Sequence, residues 1–195
     1  VGLLRNTFGW KLVVPADPNQ TDRALRYALG TWGNVALAIG RSKLPVITRE
    51  DGTPFFAGDY RFVYGAADVI REGGDVTIAC LGSMLWRGLR ARDLLASRGI
   101  SARVVSVSCP LALGDGDVRE MAHPGALVTY EDHHEGTGLG AVVTSRLALL
   151  GLSCRVATLG VRQYGCSASA EKVYAAMELT SEDVAEAVER LLGRR

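Results

Sequence analysis

An alternation in the second two-thirds of the chain constrains the fold more than any other feature. From Gly65 onward, apolar runs of strand length, "DVTIACLG", "SARVVSVS", "GALVTYE" and "SCRVATLGV", are separated by stretches with helical periodicity. Near-continuous apolar runs are what strands buried on both faces look like, and parallel neighbours need a crossover, usually a helix. "SMLWRGLRARDLLASRG" places Met84, Leu85, Leu89, Leu94 and Leu95 toward a sheet. "DGDVREMAH", "GLGAVVTSRLALLG", "SAEKVYAAM" and "TSEDVAEAVERLLG" read as further helices, the last opened by Thr180 and Asp183 as a capping box with Asp in place of Glu. Residues 66–195 are therefore expected to form a complete three-layer α/β/α domain, with four strands in a mostly parallel sheet and helices on both faces.

A smaller unit precedes it. "WKLVVPAD" reads as a buried strand ended by Pro15. Asp17 then suits a helix N-cap with Pro18 in the first turn, where its missing N–H is no loss. "NQTDRALRYALGT" continues as a short amphipathic helix and "NVALAIG" as a second buried strand. Residues 11–40 thus form one strand–helix–strand unit. Upstream, "VGLLRNTFG" looks like the end of a helix, and a chain opening on Val1 is expected to begin at a cut. Residues 41–65 carry two prolines, the turn dipeptide Asp51-Gly52 and scattered aromatics. They read as an extended linker packed down by Phe55, Phe56, Tyr60 and Phe62.

Composition narrows the function. With 195 residues, 48% of them apolar, the chain can bury a substantial core. Its 22 basic and 21 acidic residues leave a net charge of +1, so no nucleic acid or anionic membrane partner is expected. No apolar run reaches the length of a membrane span, since Arg146 interrupts the longest. Cys80, Cys109, Cys154 and Cys166 lack C-x-x-C spacing and read as reduced thiols of a cytoplasmic protein, several of them on strands.

Three motifs invite chemistry. His133 and His134 are adjacent, so on a strand they face opposite ways and one ion cannot readily use both; no metal site is expected. "GTGLGA" fits a dinucleotide-loop spacing, but the strand "ALVTYE" ends several residues earlier and no acidic residue closes the next strand. Glycines that let a helix pack closely on a sheet are the simpler account. "GCSASA" offers Cys166 and Ser167 without a G-x-S-x-G elbow or a marked relay.

The order of the pieces nevertheless resembles the C-terminal part of transketolases, over essentially the whole chain. The resemblance rests on "PADPNQTDRALRYAL", "LAIGRSKLPVI", "DVTIACLGS" followed by "GISARVVSVSCPL", and "YEDHHEGTGLGAVV". In the last, Asp132 and Thr137 depart from the family's glutamate–glutamate–histidine and glycine-glycine-leucine-glycine pattern. The resemblance implies that residues 1–42 are the tail of a pyrimidine-binding domain and that 43–65 are a linker. It implies that 66–195 are a transketolase-type C-terminal domain.

The resemblance further implies a complete enzyme that uses thiamine diphosphate and Mg to move a two-carbon ketol unit between sugar phosphates. The diphosphate-binding domain would lie on another, N-terminal polypeptide, in a homodimer or heterotetramer, and the activating glutamate, carried in the family by the first half of the pyrimidine domain, maps onto no residue here. The chain alone would be inactive and would bind no cofactor. Arg41, in "LAIGRSKLP", matches the arginine that holds the substrate phosphate. No catalytic residue maps onto this chain. Glu131, His133, Gly138 and Gly140 are expected to fix a structural loop. Two other functions remain open: a β-type subunit of a 2-oxoacid dehydrogenase-like or hybrid enzyme passing its unit to a lipoyl or carrier-protein acceptor, and a non-catalytic assembly or effector-binding module.

Overall fold

The structure, a computed structural model, describes residues 1–194. After a one-turn helix α1 (Gly2–Arg5), strand β1 (Trp10–Val13), helix α2 (Pro18–Gly30) and strand β2 (Asn34–Leu37) form a parallel two-stranded unit. Asp17 caps α2, its Oδ1 accepting from Gln20 N at 2.7 Å, with Pro18 at the first helical position. Strand β2, expected to be buried, is half-exposed along its length because a two-stranded sheet covers little.

The rest of the chain builds a five-stranded sheet from β3 (Ala67–Arg71), β4 (Val76–Leu81), β5 (Ala102–Val107), β6 (Ala126–His134) and β7 (Arg155–Val161). Its order is β3-β5-β4-β6-β7, parallel throughout except for β3, which pairs antiparallel to β5. The connecting helices are α3 (Leu85–Ser97), α4 (Asp115–Ala122) and α5 (Leu139–Leu149), with α6 (Ala170–Ala176) and α7 (Ser181–Leu192) closing the chain. Alternate residues of β4 feed two cores. Ile78 and Cys80 pack with Leu85 and Leu95 of α3 and Val184 and Val188 of α7. Ala79 and Leu81 pack with Val118 and Met121 of α4 and Leu139 and Val143 of α5. Leu12 and Val14 join that second core, so the N-terminal unit docks on the α4–α5 face. Thr180 and Asp183 form the reciprocal capping box at α7.

Three further details differ from the sequence reading. The sheet has a fifth strand, β3, where four were expected. It lies antiparallel at an edge and carries Asp68 and Arg71, so it lacks the continuous apolar run of its neighbours. Strand β6 does not stop at Glu131 but continues through the polar Asp132-His133-His134, because His134 pairs with Val161 beyond a register shift. Of the four cysteines, all free, only Cys80 lies within a strand.

Residues 43–65 pack through a buried polar node. Asp17 Oδ2 accepts from Ile47 N at 2.9 Å, and Gln20 Oε1 accepts from Ala16 N at 2.7 Å. Tyr60 Oη donates to Asp68 Oδ2 at 3.0 Å, while Phe56 is fully buried edge-on to Tyr60. Burial pushes the Asp68 carboxyl up to about 6, aided by the nearby Asp117 and opposed by the Tyr60 hydroxyl. The unfolded chain therefore ionises Asp68 first, near pH 4, and stability falls as pH rises from there to about 6. At ~1.4 kcal/mol per unit the loss totals about 2–3 kcal/mol at neutral pH. Asp68→Asn keeps an acceptor for Tyr60 and removes the charge. Urea unfolding across pH 4–7 should show a flatter profile for this variant and a gain of about 1–2 kcal/mol at pH 7. An unchanged slope would mean that Asp68 is not the titrating group.

Candidate functional site

The chain runs from β4 through α3 to β5 on one side of β4, then returns past it through α4 to β6 on the other. The carboxyl ends of β4 and β6 are thus the point where the winding direction reverses, and open α/β sheets bind ligands at such points. A cleft of about 230 Å³ lies there. Ser83, just after β4, and Asp132 and His133, at the end of β6, form one wall. Val14, Pro15, Ala38, Ile39 and Gly40 form the other. These follow β1 and β2, so both sheets aim their carboxyl ends at one cleft.

Asp132 organises the polar wall. Its Oδ2 accepts from Ser83 Oγ at 3.1 Å and from Tyr174 Oη, on α6, at 3.4 Å. Its Oδ1 lies 3.0 Å from His133 Nδ1. The two side chains of this adjacent pair are not aligned for a hydrogen bond, so the contact is an electrostatic approach. Burial pulls the Asp132 carboxyl up, but the imidazole and the Ser83 hydroxyl together outweigh it and hold the group below the usual aspartate range.

The other residues of the "YEDHHEGTGLGAVV" segment serve the helix that follows. Glu131 is buried beneath the start of α5, its carboxylate accepting from Leu139 N at 2.6 Å and Gly140 N at 2.8 Å. Those amides would otherwise have no partner. Burial raises the Glu131 carboxyl above the ordinary glutamate range against the downward pull of the two amides. A Cβ at Gly138 would sit 1.8 Å from Glu131 Oε2, and one at Gly140 would sit 2.8 Å from Thr158 Cγ2 on β7. The two glycines therefore make room for the carboxylate and for close packing of α5. His134 is exposed. Among the described residues no group of three or more His, Cys, Asp or Glu could hold a metal ion.

A long loop before Gly136, expected to disfavour dinucleotide binding, is not what the fold contains. Strand β6 reaches His134, so the turn to Gly136 is short. What opposes a phosphate at α5 is the Glu131 carboxylate, which already occupies the helix amides.

Arg41 follows Gly40, the last residue of this wall, and is exposed and without a hydrogen bond or ion pair to any described residue. Ser83 and Tyr174 escaped the sequence reading. Each meets Asp132 from more than forty residues away, Ser83 49 positions before it and Tyr174 42 after it. Only the topology brings them together.

A mostly parallel five-stranded sheet between two helical layers, with its switch-point crevice walled by a second strand–helix–strand unit, defines a doubly wound α/β protein. Residues 65–184 match the family model "Transketolase, C-terminal domain", and the chain belongs to that family. A subunit of an apulose-4-phosphate transketolase from Phocaeicola vulgatus is 29% identical over 76% of this chain and 46% of its own length. A 1-deoxy-D-xylulose-5-phosphate synthase of Nocardia farcinica is 35% identical over 96% of this chain and 30% of its own. A solved structure described as a split gene transketolase, inactive beta4 tetramer, superposes with a TM-score of 0.89 at 32% identity, over 98% of this chain and 61% of that one. The chain thus spans about half the length of the curated transketolase subunit it matches. Its relatives are transferase-type enzymes. Among the described residues no helix is long and apolar enough to cross a membrane.

Proposed function

We propose that this chain supplies the C-terminal portion of a two-polypeptide transketolase that moves a two-carbon ketol unit between sugar phosphates. Within it, residues 1–42 serve as the tail of the pyrimidine-binding domain, 43–65 as a linker and 66–195 as the C-terminal domain. The reading is carried by the match of 65–184 to the transketolase C-terminal family, together with a relative that is itself described as one subunit of a transketolase. This reading places thiamine diphosphate and Mg outside this chain, and it is supported by Asp17 and Glu131, whose carboxylates already accept from the amides at the N-termini of α2 and α5. In this proposal the cofactor sits on an N-terminal partner polypeptide, in the cytoplasm, where four free thiols are at home. The assembly is a homodimer or heterotetramer. Exposed Phe8, Leu29 and Trp32, around the amino ends of a sheet only two strands wide, favour further protein against that unit.

Arg41 is the substrate residue of this reading. A planar guanidinium at the carboxyl end of a strand, free of partners among the described residues, suits a phosphate through two hydrogen bonds. With the chain reassembled with its cofactor-binding partner, Arg41→Ala should lower kcat/KM for phosphorylated donors about ten- to hundredfold, largely through KM. Arg41→Lys should recover part of the loss. An unphosphorylated short hydroxy-keto acid should turn over almost unchanged. An equal loss on both donors would make Arg41 a structural residue and remove the assignment. The Nocardia farcinica relative favours one other reading, in which the same portion completes a 1-deoxy-D-xylulose-5-phosphate synthase. Product analysis of the reassembled enzyme separates the two.

A further inference from the structure

We infer that the outer edge of β7 is the surface through which two copies of this chain associate, their β7 strands pairing antiparallel about a twofold axis into one continuous sheet. The inference takes up the proposed assembly and names the surface between its copies; it holds whatever reaction that assembly performs.

The two edges of the sheet are unlike. Strand β3 carries Asp68 and Arg71 and shifts register between Val69 and Arg71, devices that discourage further pairing. Strand β7 pairs with β6 in unbroken register from Arg155 to Leu159, and its sequence "RVATLGV" holds no proline and no charge after Arg155. Successive residues of a strand turn their N–H and C=O to opposite sides. Arg155 N donates to Gly125 O and Val161 O accepts from Glu135 N, so the odd-numbered residues face β6. Val156, Thr158 and Gly160 therefore face outward. Arg162 Nη2 donates to Thr158 O at 3.1 Å, as an outward carbonyl allows, and the second lone pair stays available. With the axis at Thr158, that residue lies opposite its own copy and Val156 lies opposite Gly160.

The helix above this edge suits a second copy. A cleft of about 510 Å³ runs between β7 and α7, with Ala157 and Leu159 on one side and Asp183, Glu186, Ala187 and Arg190 on the other. Helix α7 packs over both β6 and β7. Strands stand about 4.8 Å apart, so a helix above the β6–β7 gap lies about 5 Å from the midline of a new seam. Two such helices stand about 10 Å apart, the spacing of packed helices. The axis makes them antiparallel. Asp183 and Glu186 occupy the first half of the exposed face and Arg190 the second, with small Ala187 between. Each copy's acids thus meet the other's arginine. Within one copy, Arg190 reaches Glu186 only at 3.7 Å, on exposed side chains. A foreign strand could use the backbone edge, but a second copy also closes the cleft and matches its charges.

Sedimentation equilibrium of the 195-residue chain at micromolar concentration tests this, with amide exchange followed by NMR. The chain should be a dimer, and the Val156, Thr158 and Gly160 amides should exchange slowly. Thr158→Pro removes an N–H that the β6 ladder does not use, so the strand is kept. Arg190→Glu puts like charges across the seam. Each should weaken the dimer more than about tenfold, and Arg190→Glu should expose the three amides to exchange. Adding Glu186→Arg to Arg190→Glu reverses both charges and should bring the dissociation constant back to within about threefold of wild type. Trp32→Glu, on the exposed apolar end of the N-terminal unit, should leave the dimer intact. A monomeric wild type would overturn the assignment. So would a dimer that survives Thr158→Pro and Arg190→Glu, a charge reversal without rescue, or a dimer lost only in Trp32→Glu.

Discussion

Glu131→Ala is expected to destabilise the chain by about 3–5 kcal/mol, lowering the thermal midpoint by roughly 8–15 °C. The buried carboxylate satisfies two amides at the start of α5, through charge-assisted bonds worth about 1.5–3 kcal/mol each. Removing it leaves Leu139 N and Gly140 N unpaired within a closed environment and opens a void. Gln at the same position keeps one acceptor but turns its NH2 group toward an amide donor, so it should recover less than half. Gly138→Ala should cost a similar amount from the opposite direction, because its Cβ would lie 1.8 Å from Glu131 Oε2 and displace the carboxylate. The two changes strike one interaction. In a double-mutant cycle the combined loss should therefore fall short of the sum by more than about 1 kcal/mol. Strict additivity in urea unfolding would show that Gly138 is not there to admit Glu131.

The second large effect concerns α6, a seven-residue helix that buries none of its residues. Arg87 on α3 holds it. Its guanidinium lies 4.2 Å from the Trp86 ring centroid and 4.1 Å from that of Tyr174, and its Nη2 donates to Glu171 Oε1 at 2.8 Å. Arg87 is 5% exposed, so the charge is compensated mainly by two π faces and one carboxylate. Each desolvated stack contributes about 1–2 kcal/mol, and the aliphatic stem adds packing. Arg87→Ala should thus cost about 2–4 kcal/mol and release α6 locally, seen as faster amide exchange across residues 170–176. Arg87→Lys should restore little, since an ammonium cannot lie flat between two rings. Glu171→Ala, at an exposed carboxylate, should cost under about 1 kcal/mol. A lysine variant as stable as the wild type would show that charge alone, without the stack, fastens the helix. Because Tyr174 reaches Asp132, loosening α6 should also shift the His133 resonances.

The sequence by itself determined whatever depends on near neighbours. Apolar runs announced β4, β5, β6 and β7, since burial on both faces demands them. Asp17 with Pro18, and Thr180 with Asp183, announced helix starts because capping is a contact over three residues. The motifs in their order pointed to the transketolase family, and the family match agrees.

Tertiary structure decided the rest. Strand β3 exists because β5 offers it an edge, and no local pattern in "ADVIR" foretells that partner. The polar end of β6 is strand because β7 pairs with it. Strand β2 is half-exposed because only one other strand shares its sheet. Glu131 acts on amides eight and nine residues ahead, across a turn whose shape sets their direction. The cleft joins side chains from four strand ends, and its composition follows from the reversal of winding at β4. Local free energies of a few tenths to about 1 kcal/mol bias each segment, while the burial of whole faces, worth far more, selects which segments meet. That selection depends on residues distant in the chain, which is why Ser83, Asp132 and Tyr174 came together only in the folded molecule.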